Sequence, residues 1–320
     1  MIQYKKGMVM EELICIRCGE YTAEINPSRG GNCVRLYHSR WNAEILRVPD
    51  YTKPLDNPYL YGMPILYPNN RISGGAFVFE DRQYAFPINE PKTNCHIHGF
   101  LHETPFAVTK RTENFVECEY KATKEKPYCT FPHEFRVVLR YTLTENGLIM
   151  EAEICNDSNE NMPNFLGFHT TFNVPFVQGG NASDVRVLAE VQDEIERNMQ
   201  VYLPTGKILP DDDVTKKLCQ GQFMPFEKVI SRQYLKKGRG RVALTDSKRG
   251  VSIVYEMDEK FGFRLLYNGN ADEYICIEPQ TCMANCPNAP FDREYAGFDF
   301  LPPKSKKTYV MKLSIQGEKQ

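Results

Sequence analysis

The sequence predicts an all-β protein, a large antiparallel β-sandwich with few short helices. Short segments in which bulky apolar residues alternate with polar ones recur along most of the chain, separated by turn residues. Aromatic residues, which favour strands, make up 12% of the 320 residues, with 18 tyrosines and 19 phenylalanines. Chains with many short strands and frequent turns usually fold as sandwiches.

The clearest predicted element is a hairpin made of residues 135–143 and 147–156. In the second of these segments, apolar side chains alternate with Glu151 and Glu153, as in a half-buried strand. The intervening Glu-Asn-Gly is a turn signal. The same kind of alternation predicts strands at residues 114–123, 241–246, 251–257, 263–269, 273–279 and 308–315.

Helical signals are few. Residues 213–219 predict one short helix, and residues 225–232 predict a second short helical turn. We expect a single domain over residues 1–320, because no glycine/serine linker, low-complexity tract or fixed-period repeat interrupts the chain. The alternative is a split near residue 160, where no linker stands.

Charge and hydropathy exclude several classes of partner. The net charge of −2 gives no electrostatic reason to expect nucleic acid or an anionic membrane as partner. No stretch approaches the roughly 20 apolar residues needed to span a bilayer, and the apolar run at 7–10 is too short for a signal peptide. We therefore expect a cytoplasmic protein. The sequence does not indicate an oligomeric state.

The cysteines predict free thiols more strongly than a metal site. Their number, eleven, is odd, and the chain shows no secretory signal. Cys15 and Cys18 form a CxxC pair, and Cys282 and Cys286 a wider pair, which together could hold zinc. The simpler interpretation is that these are small buried side chains on strands.

Nucleotide-binding and common hydrolase motifs are absent. We find no GxGxxG or P-loop, no GxSxG and no HExxH. Four other stretches stand out, namely Asn69–Phe77 (NNRISGGAF), Asn94–Phe106 (NCHIHGFLHETPF), Gly167–Asn173 (GFHTTFN) and Cys276–Thr281 (CIEPQT). Taken singly, each has a simple structural explanation, because a lone arginine, histidine or carboxylate often belongs to an ion pair or a hydrogen-bonded core site.

Taken together, these stretches resemble the aldose 1-epimerase family. The matching motifs are Asn70-Arg71-Ile72 with Gly74, Ile97-His98-Gly99, His169-Thr170-Thr171-Phe172-Asn173, and Glu278-Pro279-Gln280-Thr281. The resemblance covers about residues 20 to 316. It implies the galactose mutarotase-like supersandwich fold and a small-molecule sugar as substrate, with no cofactor and no metal.

The resemblance also implies roles for individual residues. Interconversion of sugar anomers requires a base for the anomeric hydroxyl and an acid for the ring oxygen, and a carboxylate and a histidine suit these tasks. Glu278 is the implied base and His169 the implied acid. The implied substrate-binding residues are Arg71, His98, Asn70 and His96. We further expect Gly99 to let the backbone approach the substrate.

The sequence departs from the family pattern at three places. Phe100 replaces a second glycine, Thr171 stands where the family commonly has tyrosine or tryptophan, and residues 230–235 lack the family's hydroxyl-binding aspartate. The substrate therefore stays open between a free sugar and a sugar phosphate such as a hexose 6-phosphate. Two further alternatives are a non-catalytic carbohydrate-binding protein and a metal-binding β protein that uses His96, His98 and His102.

Overall fold

Two eight-stranded antiparallel sheets dominate the fold. The computed structural model describes residues 12–50, 57–269 and 272–317, and these ranges contain 26 strands, one α-helix and five short 3-10 helices. In chain order the strands are β1 Ile14–Cys18, β2 Tyr21–Asn26, β3 Asn32–His38, β4 Ala43–Glu44, β5 Ile65–Leu66, β6 Arg71–Ser73, β7 Ala76–Phe79, β8 Arg82–Ala85, β9 Cys95–Ile97, β10 Ala107–Arg111, β11 Phe115–Ala122, β12 Phe135–Thr144, β13 Gly147–Asn156, β14 Met162–Pro163, β15 Gly167–Phe168, β16 Thr170–Asn173, β17 Val185–Ala189, β18 Val191–Asn198, β19 Leu203–Leu209, β20 Ser231–Lys236, β21 Val242–Asp246, β22 Val251–Met257, β23 Phe263–Tyr267, β24 Tyr274–Gln280, β25 Phe300–Leu301 and β26 Lys306–Gly317. The helix α1 is Asp213–Gln220, and the 3-10 helices are Pro58–Leu60, Pro91–Thr93, Leu101–Glu103, Ala182–Asp184 and Cys286–Asn288.

The first large sheet has the strand order β10-β11-β12-β13-β26-β22-β21-β17, and the second has β19-β18-β20-β23-β24-β15-β5, with β16 also paired to β24. A four-stranded sheet, β1-β2-β3-β4, and the two-stranded pairs β6-β9, β7-β8 and β14-β25 complete the described part of the chain. Each large sheet contains strands from both sides of residue 160. The antiparallel sandwich predicted from the sequence is confirmed.

The strand and helix predictions agree with the structure except at one place. All eight predicted strands are present within two residues at either end, including the hairpin β12–β13. The helix α1 begins where the Asp212 side chain accepts a hydrogen bond from the Thr215 N–H and ends at Gly221 in the left-handed conformation. The one difference is that the short turn predicted near 225–232 is confined to the start of that range, where the Glu227 N–H donates to the Met224 carbonyl, because Ser231 opens β20, which pairs with β18 and β23.

The two large sheets pack face to face through aromatic side chains. The rings of Phe172 on β16 and Tyr255 on β22 lie 5.6 Å apart. The Thr170 hydroxyl lies 2.9 Å from the Tyr255 hydroxyl. Both Phe172 and Tyr255 are fully buried. Thr170 and Phe172 therefore mark the face of the second sheet that is turned toward the first.

The pairing of β16 with β24 places polar and apolar residues on opposite faces of the second sheet. Thr170 stands opposite Ile277 and Phe172 opposite Ile275, so these isoleucines also face the first sheet. Thr171 stands opposite Cys276 and therefore points the other way, because successive side chains of a strand alternate. The outward set of β24 is Cys276, Glu278 and Gln280. The second sheet thus presents a row of buried polar side chains on its outer face.

No helix in the described part of the chain is long and apolar enough to span a lipid bilayer.

Candidate active site

The centre of the site is a histidine–carboxylate pair. Gly167 stands opposite Gln280 and Thr170 opposite Ile277, so the same register sets His169 opposite Glu278. Their side chains meet with His169 Nε2 3.2 Å from Glu278 Oε1. They are only 6% and 2% exposed. The two residues that the sequence predicted as acid and base are therefore in direct contact.

A chain of amides holds the carboxylate in place. Gln280 Nε2 donates to Glu278 Oε2 at 3.1 Å. The Gln280 side-chain oxygen in turn accepts from Gln233 at 2.6 Å and from Asn70 at 3.3 Å. Gln233 accepts from the Ala284 N–H at 3.1 Å. Since every amide group in the chain is paired, Glu278 has one fixed orientation, with Oε1 turned toward His169.

A tight turn brings His98 to this pair. His98 has a φ of 62°, and its backbone N–H donates to the Asn70 carbonyl at 2.9 Å. Its ring centroid lies 5.6 Å from that of His169, at 85° between the ring planes. The Nδ1 atom of His98 is buried and has no partner. Because burial lowers the pKa of His98 well below its ordinary value, this histidine is neutral at physiological pH.

Arg71 is held by a bidentate ion pair. Its Nε and Nη2 atoms each donate to Glu90 at 2.7 Å. Its guanidinium also lies over the Tyr202 ring, 4.7 Å from the centroid. Both contacts fix the plane of the guanidinium. Glu90 does not contact Nη1, and the charge of Arg71 acts on both Glu278 and His98.

Burial shifts the pKa values of the acid His169 and the base Glu278 in opposite directions, and each shift favours the neutral form of the residue. It raises the pKa of Glu278 to about 8, an effect that the charges of Arg197 and Arg71 and the hydrogen bond from Gln280 oppose. It lowers the pKa of His169 to about 3. A hydrogen bond between Nε2 and Oε1 requires one proton between the two atoms, so the two residues titrate as a pair that holds one proton near neutrality.

His96 lies in an apolar layer rather than beside the acid–base pair. It is fully buried, its Nδ1 lies 2.8 Å from the Pro87 carbonyl oxygen, and its ring stacks on Phe86 with 4.8 Å between the centroids. Phe100 packs edge-on against the same ring at 5.4 Å. The side chain that replaces the family's second glycine therefore fills space around His96.

The reason for glycine at position 99 differs from the expected one. A Cβ atom there would lie 1.8 Å from the Tyr67 carbonyl oxygen and 2.5 Å from the Tyr128 hydroxyl. Its φ is +63°, in the region that favours glycine. The close approach that excludes a side chain is thus internal, between the turn and Tyr67, the residue directly after β5, and the approach of this backbone to a substrate stays a prediction.

Two tyrosines that sequence reasoning missed border the histidines. The Tyr59 ring lies 4.7 Å from the ring of His98, 4.4 Å from that of His102 and 6.0 Å from that of His169. Tyr267 approaches His169 edge-on at 6.4 Å. Tyr59 carries no motif that could have marked it, and Tyr267 is placed beside Cys276 only by the observed pairing of β23 with β24.

Sequence reasoning also missed Arg197 and Gln233. Arg197 is 7% exposed, and its Nη2 contacts the carbonyl and hydroxyl oxygens of Ser231. Its charge lowers the pKa of Glu278. Gln233 lies on β20, inside the segment where the family pattern calls for an aspartate. The site therefore has an amide from that strand and a guanidinium from its neighbour, β18.

The metal alternatives receive no support from the geometry. Among the described residues, no group of three or more histidine, cysteine, aspartate or glutamate side chains is arranged to hold a metal ion. The cysteines of the described ranges are free thiols, and Cys15 and Cys18 lie on β1.

Comparisons with known proteins agree with this fold. The family model for aldose 1-epimerase matches residues 12–314. A galactose mutarotase-like protein from Clostridium acetobutylicum superposes with a TM-score of 0.92 at 32% identity, covering 98% of both chains. A putative aldose 1-epimerase from Escherichia coli K12 has a TM-score of 0.79 at 17% identity, covering 96% of this chain and 99% of that one. The chromosomal protein LacX of Lactococcus lactis is 23% identical over 193 residues, which are 57% of this chain and 62% of LacX.

The sandwich superposes on a galactose mutarotase-like protein over nearly the whole chain, which places it in the galactose mutarotase-like class of β proteins. Within that class, the chain belongs to the aldose 1-epimerase family, because the family model spans nearly all of it. The matched region of LacX is shorter, so the chain spans about three fifths of that relative.

Substituting Gly99 by alanine is expected to destabilise the protein by more than about 3 kcal/mol. The added Cβ would overlap the Tyr67 carbonyl oxygen, and backbone atoms of a sheet cannot easily move. Urea unfolding followed by circular dichroism measures the change.

Gly74→Ala is the matched control. Gly74 has nearly the same φ, +61°, but nothing lies within 4 Å of a Cβ built there. This variant is expected to lose only about 1–2 kcal/mol, the cost of the left-handed conformation. Equal losses in both variants would show that overlap with Tyr67 is not the cause.

Proposed function

We propose that the protein is a sugar 1-epimerase, a mutarotase that interconverts the α and β anomers of an aldose by acid–base ring opening. The observation that carries this proposal is the contact of 3.2 Å between His169 Nε2 and Glu278 Oε1. The anomeric hydroxyl and the ring oxygen of a sugar are bonded to the same carbon. An acid and a base that serve these two oxygens must therefore be neighbours, as His169 and Glu278 are.

The reaction requires the removal of one proton from the sugar and the delivery of one proton to it. The Glu278 carboxylate removes the proton from the anomeric hydroxyl, and protonated His169 delivers a proton to the ring oxygen. The carbon–oxygen bond of the ring breaks, its electron pair goes to the ring oxygen, and the anomeric carbon becomes an aldehyde. The aldehyde end rotates, and the ring closes on its other face as both proton transfers reverse. The pair holds one proton throughout, so each turnover restores the starting state.

The remaining side chains orient the sugar. His98 is neutral and can both donate and accept, while Arg71 offers Nη1 from a guanidinium that Glu90 and Tyr202 hold in place. Asn70 acts indirectly, through its hydrogen bond to Gln280. We retain His96 as a support for the His98 turn, because it packs in the adjoining layer and its side chain is fully buried.

The substitutions Glu278→Gln and His169→Asn are each expected to lower kcat by at least about 10²–10⁴-fold. Each removes one of the two proton-transfer groups while preserving the shape of the side chain. Polarimetry on a fresh solution of a single anomer measures the rate, after subtraction of the uncatalysed mutarotation.

Glu153→Gln and His38→Asn are suitable controls. Glu153 is 8% exposed and lies on the first sheet, paired with Arg140 and Lys306, and His38 is 6% exposed on β3. Both controls are expected to keep the wild-type rate. An undiminished rate in Glu278→Gln or in His169→Asn would end the assignment of that residue.

Activity is expected to fall as the pH is raised through an apparent pKa well above 4.5, the ordinary value for glutamate. Burial raises the pKa of Glu278 to about 8, so the pair loses its single proton as the pH rises through that region, and no acid is left for the ring oxygen. A profile of kcat/KM between about pH 5 and pH 10 tests this expectation. A rate that stays constant up to the upper limit would contradict it.

A panel of free and phosphorylated aldoses tests the proposed function itself. Anomer exchange is followed by NMR saturation transfer, and binding of the same sugars is measured in parallel by equilibrium dialysis. Exchange with one group of sugars identifies the substrate class. Binding without exchange would instead favour a carbohydrate-binding protein that has kept the fold.

A further inference from the structure

Arg197 is a buried cation with an unused hydrogen-bond donor. Its Nη2 contacts the main-chain and side-chain oxygens of Ser231, both of which are uncharged. Its Nη1 is buried and has no partner among the described residues. A buried N–H without an acceptor costs free energy comparable to a lost hydrogen bond, and for a guanidinium the cost is greater. Such a group is retained where a ligand completes its hydrogen bonds.

The sheet register sets Arg197 on the same face as the acid–base pair. Glu278 stands opposite Leu265 on β23, Leu265 opposite Gln233 on β20, and Gln233 opposite Ile195 on β18. Residues directly opposite in an antiparallel sheet share a face, and Arg197 follows Ile195 by two residues. Arg197 therefore projects from the same face as Glu278, three strands away.

Three strand spacings separate the backbones by about 14 Å. The extended arginine side chain bridges much of this distance and already reaches Ser231 on the adjacent strand. Its charge acts on Glu278, and the charges of Arg71, Glu278, Glu194 and Tyr202 act on it. The guanidinium and the carboxylate thus lie on one face of the second sheet and interact electrostatically.

We propose that Arg197 is a further substrate-contacting residue of this site, whose Nη1 donates a hydrogen bond to a sugar oxygen. This inference rests on the proposed epimerase function. A cationic hydrogen-bond donor on β18 would thus contact the sugar at a point distant from His169. A hydroxyl, carboxylate or phosphate oxygen of the substrate can accept this bond.

The charges that face the acid–base pair give the sign of the electrostatic effect. His169, Arg197 and Arg71 face the Glu278 carboxylate, and Gln280 donates to it. Cys276 and Tyr267 lie nearby as neutral groups, since burial raises the pKa of both. Removal of the positive charge of Arg197 would favour the protonated forms of the pair, so both limbs of the pH–rate profile would move to higher pH.

Two substitutions separate the charge from the hydrogen bond. Arg197→Met removes both, and we expect KM to rise at least about tenfold and the alkaline limb of kcat/KM to move up by about one pH unit. Arg197→Lys keeps the charge but loses the fork of donors that reaches Ser231 and the substrate together. We expect this variant to keep the wild-type pH profile while its KM rises.

Arg264→Met provides a matched control. Arg264 is fully buried on β23, its Nε and Nη1 atoms donate to backbone carbonyls, and its Nη2 also has no partner. It alternates with Leu265 and therefore lies on the opposite face from Glu278. We expect Arg264→Met to lower the thermal midpoint but to leave KM and the pH profile unchanged.

The outcomes distinguish this inference from the proposed function. If wild type exchanges the anomers of any sugar and Arg197→Met retains both its KM and its pH profile, the inference is overturned while the epimerase function stands. If Arg197→Met does not fold, an unchanged KM in Arg197→Lys overturns it instead. If wild type binds sugars without exchange, the epimerase function fails, and the dissociation constants of the Arg197 variants decide the inference. If wild type binds no sugar, both fail.

Discussion

The antiparallel register between β16 and β24 is the constraint on which the site depends. It sets His169 opposite Glu278 while Thr170, Phe172, Ile275 and Ile277 are turned toward the first sheet. A slip of one residue would exchange the two faces. The Glu278 carboxylate would then point into the core, and the isoleucines would point to the outer face of the sheet. The apolar packing of Phe172 against Tyr255 therefore fixes the acid–base geometry as well as the sandwich.

The buried polar groups of the site are stabilised by hydrogen bonds and ion pairs with other protein groups rather than by contact with water. Glu278 is anchored through Gln280, Gln233 and Asn70, and Arg71 is neutralised by Glu90. Two of the buried groups that have no partner among the described residues, Nδ1 of His98 and Nη1 of Arg197, lie on the same face as this pair. Within the site, the paired groups form the framework, and these two groups can receive a ligand.

The sequence was most informative for elements that have one buried face and one solvent-exposed face. The hairpin β12–β13 and helix α1 could be predicted because polar and apolar side chains alternate with the correct period. The site residues Arg71, His98, His169 and Glu278 could be named only through short motifs, since nothing local shows that segments two hundred residues apart meet. Arg197 could not be found this way, because it lies in a charged stretch, 193–197, that resembles a solvent-exposed strand until the β18–β20 pairing buries it.

Two of the three departures from the family pattern lie on the outer face of the second sheet, the face that carries the acid–base pair. Thr171 contacts the Cys276 thiol at 3.4 Å, and β20 contributes Gln233 to the amide chain where an aspartate was expected. Arg197 reaches the pocket from the strand beside β20. None of these residues takes part in the His169–Glu278 contact, so the proposed function assigns ring opening and recognition of the sugar to separate groups. Both polar groups of Gln233 are paired within the protein, so the change from aspartate removes a hydrogen-bond acceptor, whereas Arg197 adds a donor. Under the proposed function, we expect such a site to select sugars by their acceptor oxygens.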